Sequence, residues 1–237
     1  MQLSKRLKLV ASFVPEGDRV ADVGTDHGYV PIWLVGTGRC PGAVAMDVRQ
    51  GPLDRARAHI RESGLEDKIQ VRLCDGLSGS IPGEVDTVVI AGMGGELMLR
   101  ILEEGRHMWE STAHFVLSPQ SDLDKVRRFL EAEGFLLLRE AMVLDEGKYY
   151  TVLLTGRGME EKGTYRRPSW YLYGKLLIQD KDPVLQCFLE KEEERLEKIL
   201  AGLAGKATDG AAAARKEILE QLAGVREVQA DMGCRRG

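Results

Sequence analysis

Five stretches of the chain are short and almost continuously apolar: "RVADV" (19–23), "GAVAMDV" (42–48), "IQVRLC" (69–74), "VDTVVIAG" (85–92) and "HFVLSP" (114–119). Runs of this length bounded by turn residues read as strands buried on both faces. Between them the apolar positions recur at helical spacing, which predicts helices around 29–36, 51–63, 94–104 and 121–133. The last of these has Ser121 at its start and Gly134 at its end, one candidate cap for each terminus. Two longer runs, "FLLLREAMVLD" and "KYYTVLLTG", are separated only by "EG" and read as an antiparallel pair that ends the sheet. Alternating β and α units imply a doubly wound, mostly parallel sheet with right-handed crossovers.

After "TGRGMEEKGTY" the pattern changes, and from Pro168 onward only helical periodicity remains. Leu185, Leu189, Leu196, Leu200 and Leu203 recur at spacings of three, four or seven, with "EKEEERLEK" as the polar face. Ile218, Leu219, Leu222 and Val225 repeat the theme after the small-residue break "AGKATDGAAAA". The expected architecture is a Rossmann-like α/β domain over residues 1–160 and a helical, coiled-coil-like hairpin over 161–230, docked by a helix containing "WYLYGKLLI". Residues 231–237 read as a disordered tail.

Composition narrows the function classes. The 237 residues carry a net charge of −4, with 43% hydrophobic and 30% charged positions, as in an ordinary soluble protein. No run reaches the ~18 apolar residues of a membrane span, and the N-terminal stretch is short and amphipathic rather than a signal peptide. The four cysteines are scattered without a C-x-x-C pair, which fits reduced thiols in a cytoplasm and no structural zinc. No metal constellation is present.

Candidate chemistry sits where the strands end, the place at which open α/β sheets bind ligands. In chain order these positions are Asp22-x-Gly24 and Gly28, then Asp47, then Asp75-Gly76, then "AGMGG" (91–95). An acid after the second strand suits a ribose diol, and one after the third can accept from an adenine amine. A dinucleotide site would want G-x-G-x-x-G, whereas this loop reads G-T-D-H-G, with a buried acid, Asp26, where a pyrophosphate would lie. S-Adenosylmethionine carries no phosphate and two positive centres, so the acidic loop admits it and rejects NAD. The expected antiparallel last strand fits a class I methyltransferase sheet.

The segments "LSKRL" (3–7), "ADVGTDHGYVP" (21–31), "GPL" (51–53), "DGL" (75–77) and "AGMGG" (91–95) together resemble the bacterial TrmK family, tRNA methyltransferases acting on N1 of adenine 22. The resemblance runs in order through the N-terminal domain and implies a class I methyltransferase fold with a helical C-terminal domain. It implies a cofactor set of Asp22, Gly24, Thr25, His27, Gly28, Asp47, Val48, Asp75, Gly76, Ala91, Gly92 and Met93, and it makes Asp26 the catalytic candidate. The chain departs from the family in having Ser118-Pro119-Gln120 where many members have Gln-Pro-Asn, which shifts the amide by one position. Thr25 and Gly28 stand where Ser and Ala are common.

Adenine N1 has a free lone pair at neutral pH, so a nearby carboxylate is wanted for the cation that methylation creates. Asp26 fills that role, the competing reading being a cap on the following helix. Tyr29, Tyr150 and Met93 are candidates to flank an exposed base, with Arg6 and Gln120 as further substrate contacts. Lys5, Arg6 and Lys8 on a first helix, and Lys125, Arg127 and Arg128 on a later one, are candidate phosphate contacts. The expected partner is tRNA and the expected state a cytoplasmic monomer, with dimerisation through the C-terminal helices as the other possibility. The alternatives are another class I methyltransferase, acting on another RNA position or a small molecule, and a non-catalytic RNA-binding scaffold with a decayed methyltransferase fold; an NAD-dependent oxidoreductase is a third.

Overall fold

The computed structural model describes residues 2–158, 165–203 and 209–233, and the chain divides into two compact units, Met1–Lys162 and Gly163–Gly237. In the first unit the apolar runs form strands β1 (Val20–Val23), β2 (Ala43–Asp47), β3 (Ile69–Leu73), β4 (Thr87–Ala91), β5 (His114–Ser118), β6 (Phe135–Asp145) and β7 (Lys148–Arg157). The helices are α1 (Lys5–Phe13), α2 (Tyr29–Gly36), α3 (Gln50–Glu62), α4 (Gly95–Glu104) and α5 (Leu123–Ala132). The sheet order is β3-β2-β1-β4-β5-β7-β6. The first five strands are parallel, and β7 lies antiparallel between β5 and β6. β1 and β4 are fully paired side by side, Asp22 opposite Val89. The strand order reverses between them, so the loops after β1 and β4 diverge and leave a crevice.

The continuous apolar runs are explained by burial on both faces: every residue of β1 and β2 is buried, as are four of the five in β4. β6 and β7 behave differently, with mixed burial along their length. α1 is held at both ends of its first turn. Ser4 Oγ accepts from the Leu7 amide at 3.3 Å, and Asp145 Oδ2, at the end of β6, accepts from the Arg6 amide at 3.0 Å. That contact and its neighbours at the helix start hold the Asp145 carboxyl below the usual carboxylate range.

Two expectations need correction on α5. Ser121 does not cap it; Asp122 is the residue at the N-cap, and Ser121 Oγ accepts from the Gly95 amide at the start of α4 at 3.2 Å. Arg127 is not a phosphate contact. Its side chain is 1% exposed and donates through Nε (2.9 Å) and Nη2 (2.7 Å) to Glu140 Oε1 on β6. Lys125 is taken up by Glu96 and Asp122. Gly134, with φ +73°, does follow the end of α5.

In the second unit "WYLYGKLLI" is two short helices, α6 (Pro168–Tyr173) and α7 (Lys175–Gln179), divided at Gly174. They precede α8 (Pro183–Gly202) and α9 (Asp209–Asp231). Asp182 caps α8 by accepting from the amides of Val184 (2.8 Å) and Leu185 (2.9 Å). α8 and α9 run antiparallel, with Arg226 bonded to Glu193 and Glu197 and Gln229 to Glu193. Leu185, Leu189 and Leu196 are buried with Leu222, Val225 and Val228, whereas Leu219 is exposed and does not join the stripe. α9 runs on into the stretch read as tail: Asp231 accepts from Trp170 Nε1 at 2.9 Å and Met232 is buried. Residues 234–237, like the boundary at 160/161, lie outside the described residues.

Burying Arg127 and Glu140 together is tolerable only while both are present. Glu140→Ala is expected to cost about 3–5 kcal/mol in chemical unfolding. The double variant Arg127→Met/Glu140→Leu is expected to lie much closer to the starting protein.

Candidate active site

The loop after β1 is folded back onto β2. The amides of Gly24 and Thr25 both donate to the carbonyl oxygen of Met46, at 2.9 and 2.8 Å, and the Gly28 amide closes the turn on Thr25 O at 2.9 Å. Asp22 is left at the strand end, 5% exposed, with Thr25 Oγ1 donating to its Oδ2 at 2.7 Å. Burial pushes the Asp22 carboxyl up to about 6; the Thr25 bond pulls against this and the charge of Asp47 adds to it.

Asp26 is not the buried acid that the sequence suggested. Its side chain is 54% exposed, its φ is +50°, and its Oδ1 accepts from Arg55 Nη2 on α3 at 3.0 Å. His27 Nε2 lies 3.4 Å from Oδ2. Nor does Asp26 cap α2, whose N-cap is Gly28 with no side-chain hydrogen bond. Gly28 lies against α3. At φ +73° it brings α3 close, and a Cβ there would lie 3.3 Å from that of Ala56. The space in front of Gly24 is filled by the Met93 methyl group. His27, Tyr29 and His59 form a cluster of near-parallel rings with centroids 5.2–5.7 Å apart. His59 Nδ1 sits 3.0 Å from the His27 carbonyl, and the buried His27 Nδ1 has no hydrogen-bond partner among the described residues.

A cavity of about 230 Å³ opens at this point, lined by Arg6, Leu7, Asp22, Gly24, Thr25, Asp26, His27, Tyr29, Val30 and Ala91. It joins both halves of the expected site: cofactor candidates along Asp22 to Thr25 and Ala91, substrate candidates at Arg6, Asp26 and Tyr29. Arg6 is the bridge to two others. Its guanidinium is 5.1 Å from the centre of the Tyr150 ring and borders the open side of Gly92. The Gln120 amide donates to Met93 O at 2.9 Å, which ties the segment after β5 to the one after β4. Leu7, Val30 and Arg55 were not anticipated. Only the "LSKRL" segment carried a signal for Leu7, and a helical arginine such as Arg55 carries none in sequence.

The remaining acids lie along the neighbouring strand ends, outside this cavity. Asp47 is buried and accepts from the Arg49 amide at 2.9 Å. Beside it Val48, like Leu73 at the end of β3, leaves an apolar side chain exposed. Asp75 is exposed and paired through both oxygens with Arg100 at 3.1 Å, which holds its carboxyl below the usual range. Gly76 packs on Ile101. Among the described residues no group of three or more His, Cys, Asp or Glu is placed to hold a metal, and no helix is long and apolar enough to cross a membrane.

Residues 3–153 match the family described as "Methyltransferase domain". Over 200 residues the chain is 35% identical to the tRNA (adenine(22)-N(1))-methyltransferase of Bacillus subtilis, covering 83% of this chain and 82% of that protein. The solved structure of the B. subtilis m1A22 tRNA methyltransferase TrmK superposes with a TM-score of 0.83 at 31% identity, over 96% of this chain and 98% of that one. Streptococcus pneumoniae Sp1610 in complex with S-adenosyl-L-methionine gives 0.84 at 35% identity, over 96% and 99%.

The raised Asp22 value has a definite sign. The fold favours the protonated carboxyl, so its contribution is fully present below pH 4 and is lost as pH rises through 6. By pH 8 the buried charge costs about 3 kcal/mol. Asp22→Asn keeps an acceptor for Thr25 and removes that charge. It is expected to melt several degrees above the unliganded wild type at pH 8, with the advantage gone by pH 4, as read by thermal unfolding.

Proposed function

The chain belongs to the tRNA (adenine(22)-N(1))-methyltransferase family, and we propose that it transfers the methyl group of S-adenosylmethionine to N1 of adenine 22 in tRNA. The observation that carries this reading is the single cavity in which Asp22, Thr25 and Ala91 face the same space as Asp26, Arg6 and Tyr29. Cofactor and target base need to meet there, and the residues that suit each are already adjacent.

The residues present fit the cofactor. The buried Asp22 carboxylate is matched to its ammonium group, and Asp47 to the two ribose hydroxyls. Val48 and Leu73 offer apolar surface to the adenine ring, and Asp75, shared with Arg100, can accept from the exocyclic amine. Bound S-adenosylmethionine supplies an electrophilic methyl carbon on a cationic sulfur. The protein has no proton to remove before attack, because N1 presents its lone pair directly. Its contribution is alignment, which converts an encounter into a unimolecular step, and charge compensation.

Methylation leaves adenine positively charged. Asp26, exposed at the cavity, balances that charge and can accept a proton from N6. Tyr29 gives a flat face against which an extruded base can stack, and Arg6 over Tyr150 a cation for the adjoining phosphate. Such a substrate is found in the cytoplasm, which supports a cytoplasmic enzyme. Leu185, Leu189, Leu196, Leu222, Val225 and Val228 are already buried within the chain, which supports a monomer whose C-terminal helices help to hold the tRNA.

Labelled S-adenosylmethionine and two unmodified transcripts differing only in A or G at position 22 test this directly. Label is expected as 1-methyladenosine on the A22 transcript alone; label on both would move the target elsewhere in the RNA. Asp26→Asn, which tolerates the same backbone conformation, is expected to lower kcat about 100-fold. Cofactor affinity measured by calorimetry should stay within a few-fold of wild type.

A further inference from the structure

Three successive contacts join α3 to the loop that carries Asp26. Arg55 Nη2 donates to Asp26 Oδ1 at 3.0 Å. Ala56 packs into the space that the absent Cβ of Gly28 leaves. One turn on, His59 Nδ1 meets the His27 carbonyl at 3.0 Å. Among the described residues the loop's backbone bonds to β2 are those of Gly24 and Thr25, and beyond Thr25 these contacts with α3 hold it.

Asp26 needs such support. A non-glycine residue at φ +50° has no regular secondary structure to fix it. An exposed carboxylate has two rotatable side-chain bonds and samples several rotamers unless something holds it. The Arg55 pair is itself half exposed, and pairs of that kind add little to stability. Its effect is instead directional: with Oδ1 engaged by Arg55, Oδ2 is the oxygen left, 3.4 Å from His27 Nε2, on a residue that lines the cavity.

We propose that Arg55 is a positioning residue, which acts through Asp26 by fixing the direction in which its carboxylate meets the target base. The inference rests on the methyltransferase reading above and deepens it. Gly28 and Ala56 make it possible, since their close approach puts the residue just before Ala56 on α3 within reach of the loop. Arg57, two positions on, is bonded to Asp54 on an exposed face and takes no part.

The test separates kcat from KM for the A22 transcript in wild type, Arg55→Ala, Arg55→Lys and the control Arg57→Ala, with cofactor affinity measured for each. Arg55→Ala is expected to lower kcat five-fold or more while KM for tRNA and cofactor affinity stay within two-fold. Arg55→Lys should recover at least half of the loss, and Arg57→Ala should match wild type. In an Asp26→Gly background, which suits the positive φ and leaves no side-chain acceptor, removing Arg55 should change single-turnover rate by less than two-fold, because its target is gone. A rise in KM with kcat unchanged would overturn the proposal and make Arg55 an RNA contact. An unchanged Arg55→Ala, or a loss that persists undiminished without Asp26, would overturn it too. Failure of the wild type itself to methylate the A22 transcript would instead remove the parent reading, so the two failures are distinguishable.

Discussion

The carbonyl oxygen of Met46 accepts the amides of both Gly24 and Thr25, and the loop after β1 takes its shape from that pairing. A bifurcated acceptor at the end of β2 turns the chain sharply while leaving the side chain of Asp22 behind in the sheet. The acid then sits in a low-dielectric place it would not choose alone, with one hydroxyl donor and the charge of Asp47 nearby. A fold that spends stability on such a carboxylate has prepared a place for a cation. The acidity of the loop, which is unwelcome to a phosphate, is therefore of a piece with the geometry of the strand ends.

β1, β2, β4 and β5 were legible because a parallel strand buried on both faces is apolar almost throughout. β3 was expected to be buried in the same way, but it is an edge strand with only Ile69 buried, and β6 and β7 were legible as a hairpin. The placing of Asp22, Gly24 and Ala91 at strand ends followed from these runs. What failed was local and polar. Arg127 looked like a surface cation because nothing in a one-dimensional pattern shows that Glu140, thirteen residues on, will be buried beside it. Ser121 looked like a cap because its side chain suits one, but a backbone amide from another helix claimed it. Asp26 was expected to be a buried acid, yet the turn carries it outward.

Glycine positions taught a similar lesson. Gly28 reads in sequence as room for a ligand, and the room is used by Ala56. The residue is just as necessary in either case, because a positive φ and a close helix both exclude a Cβ. Sequence therefore located the loop, and the structure adds α3 as a neighbour that the same glycine admits. α3 was read only as a crossover helix, and its role in gripping the loop depends on side-chain geometry that no spacing rule encodes.

The placement of β7 between β5 and β6 bears on how the molecule comes into being. During synthesis the ribosome releases α1 first and β7 last among the elements of the sheet, yet α1 is fastened to the far end of β6 by Asp145, and Arg6 rests over Tyr150 of β7. β6 and β7 can zip locally as a hairpin, but β5 stays an open edge until residues near Thr155 have emerged to pair with Phe115. The oldest and the youngest parts of the domain thus meet at the mouth of the cavity. A nascent or truncated chain that stops short of β7 already holds every residue that lines the cavity, but it lacks Tyr150 beneath Arg6 and leaves β5 as a bare edge, so the last strand to emerge finishes a site whose other parts are long in place.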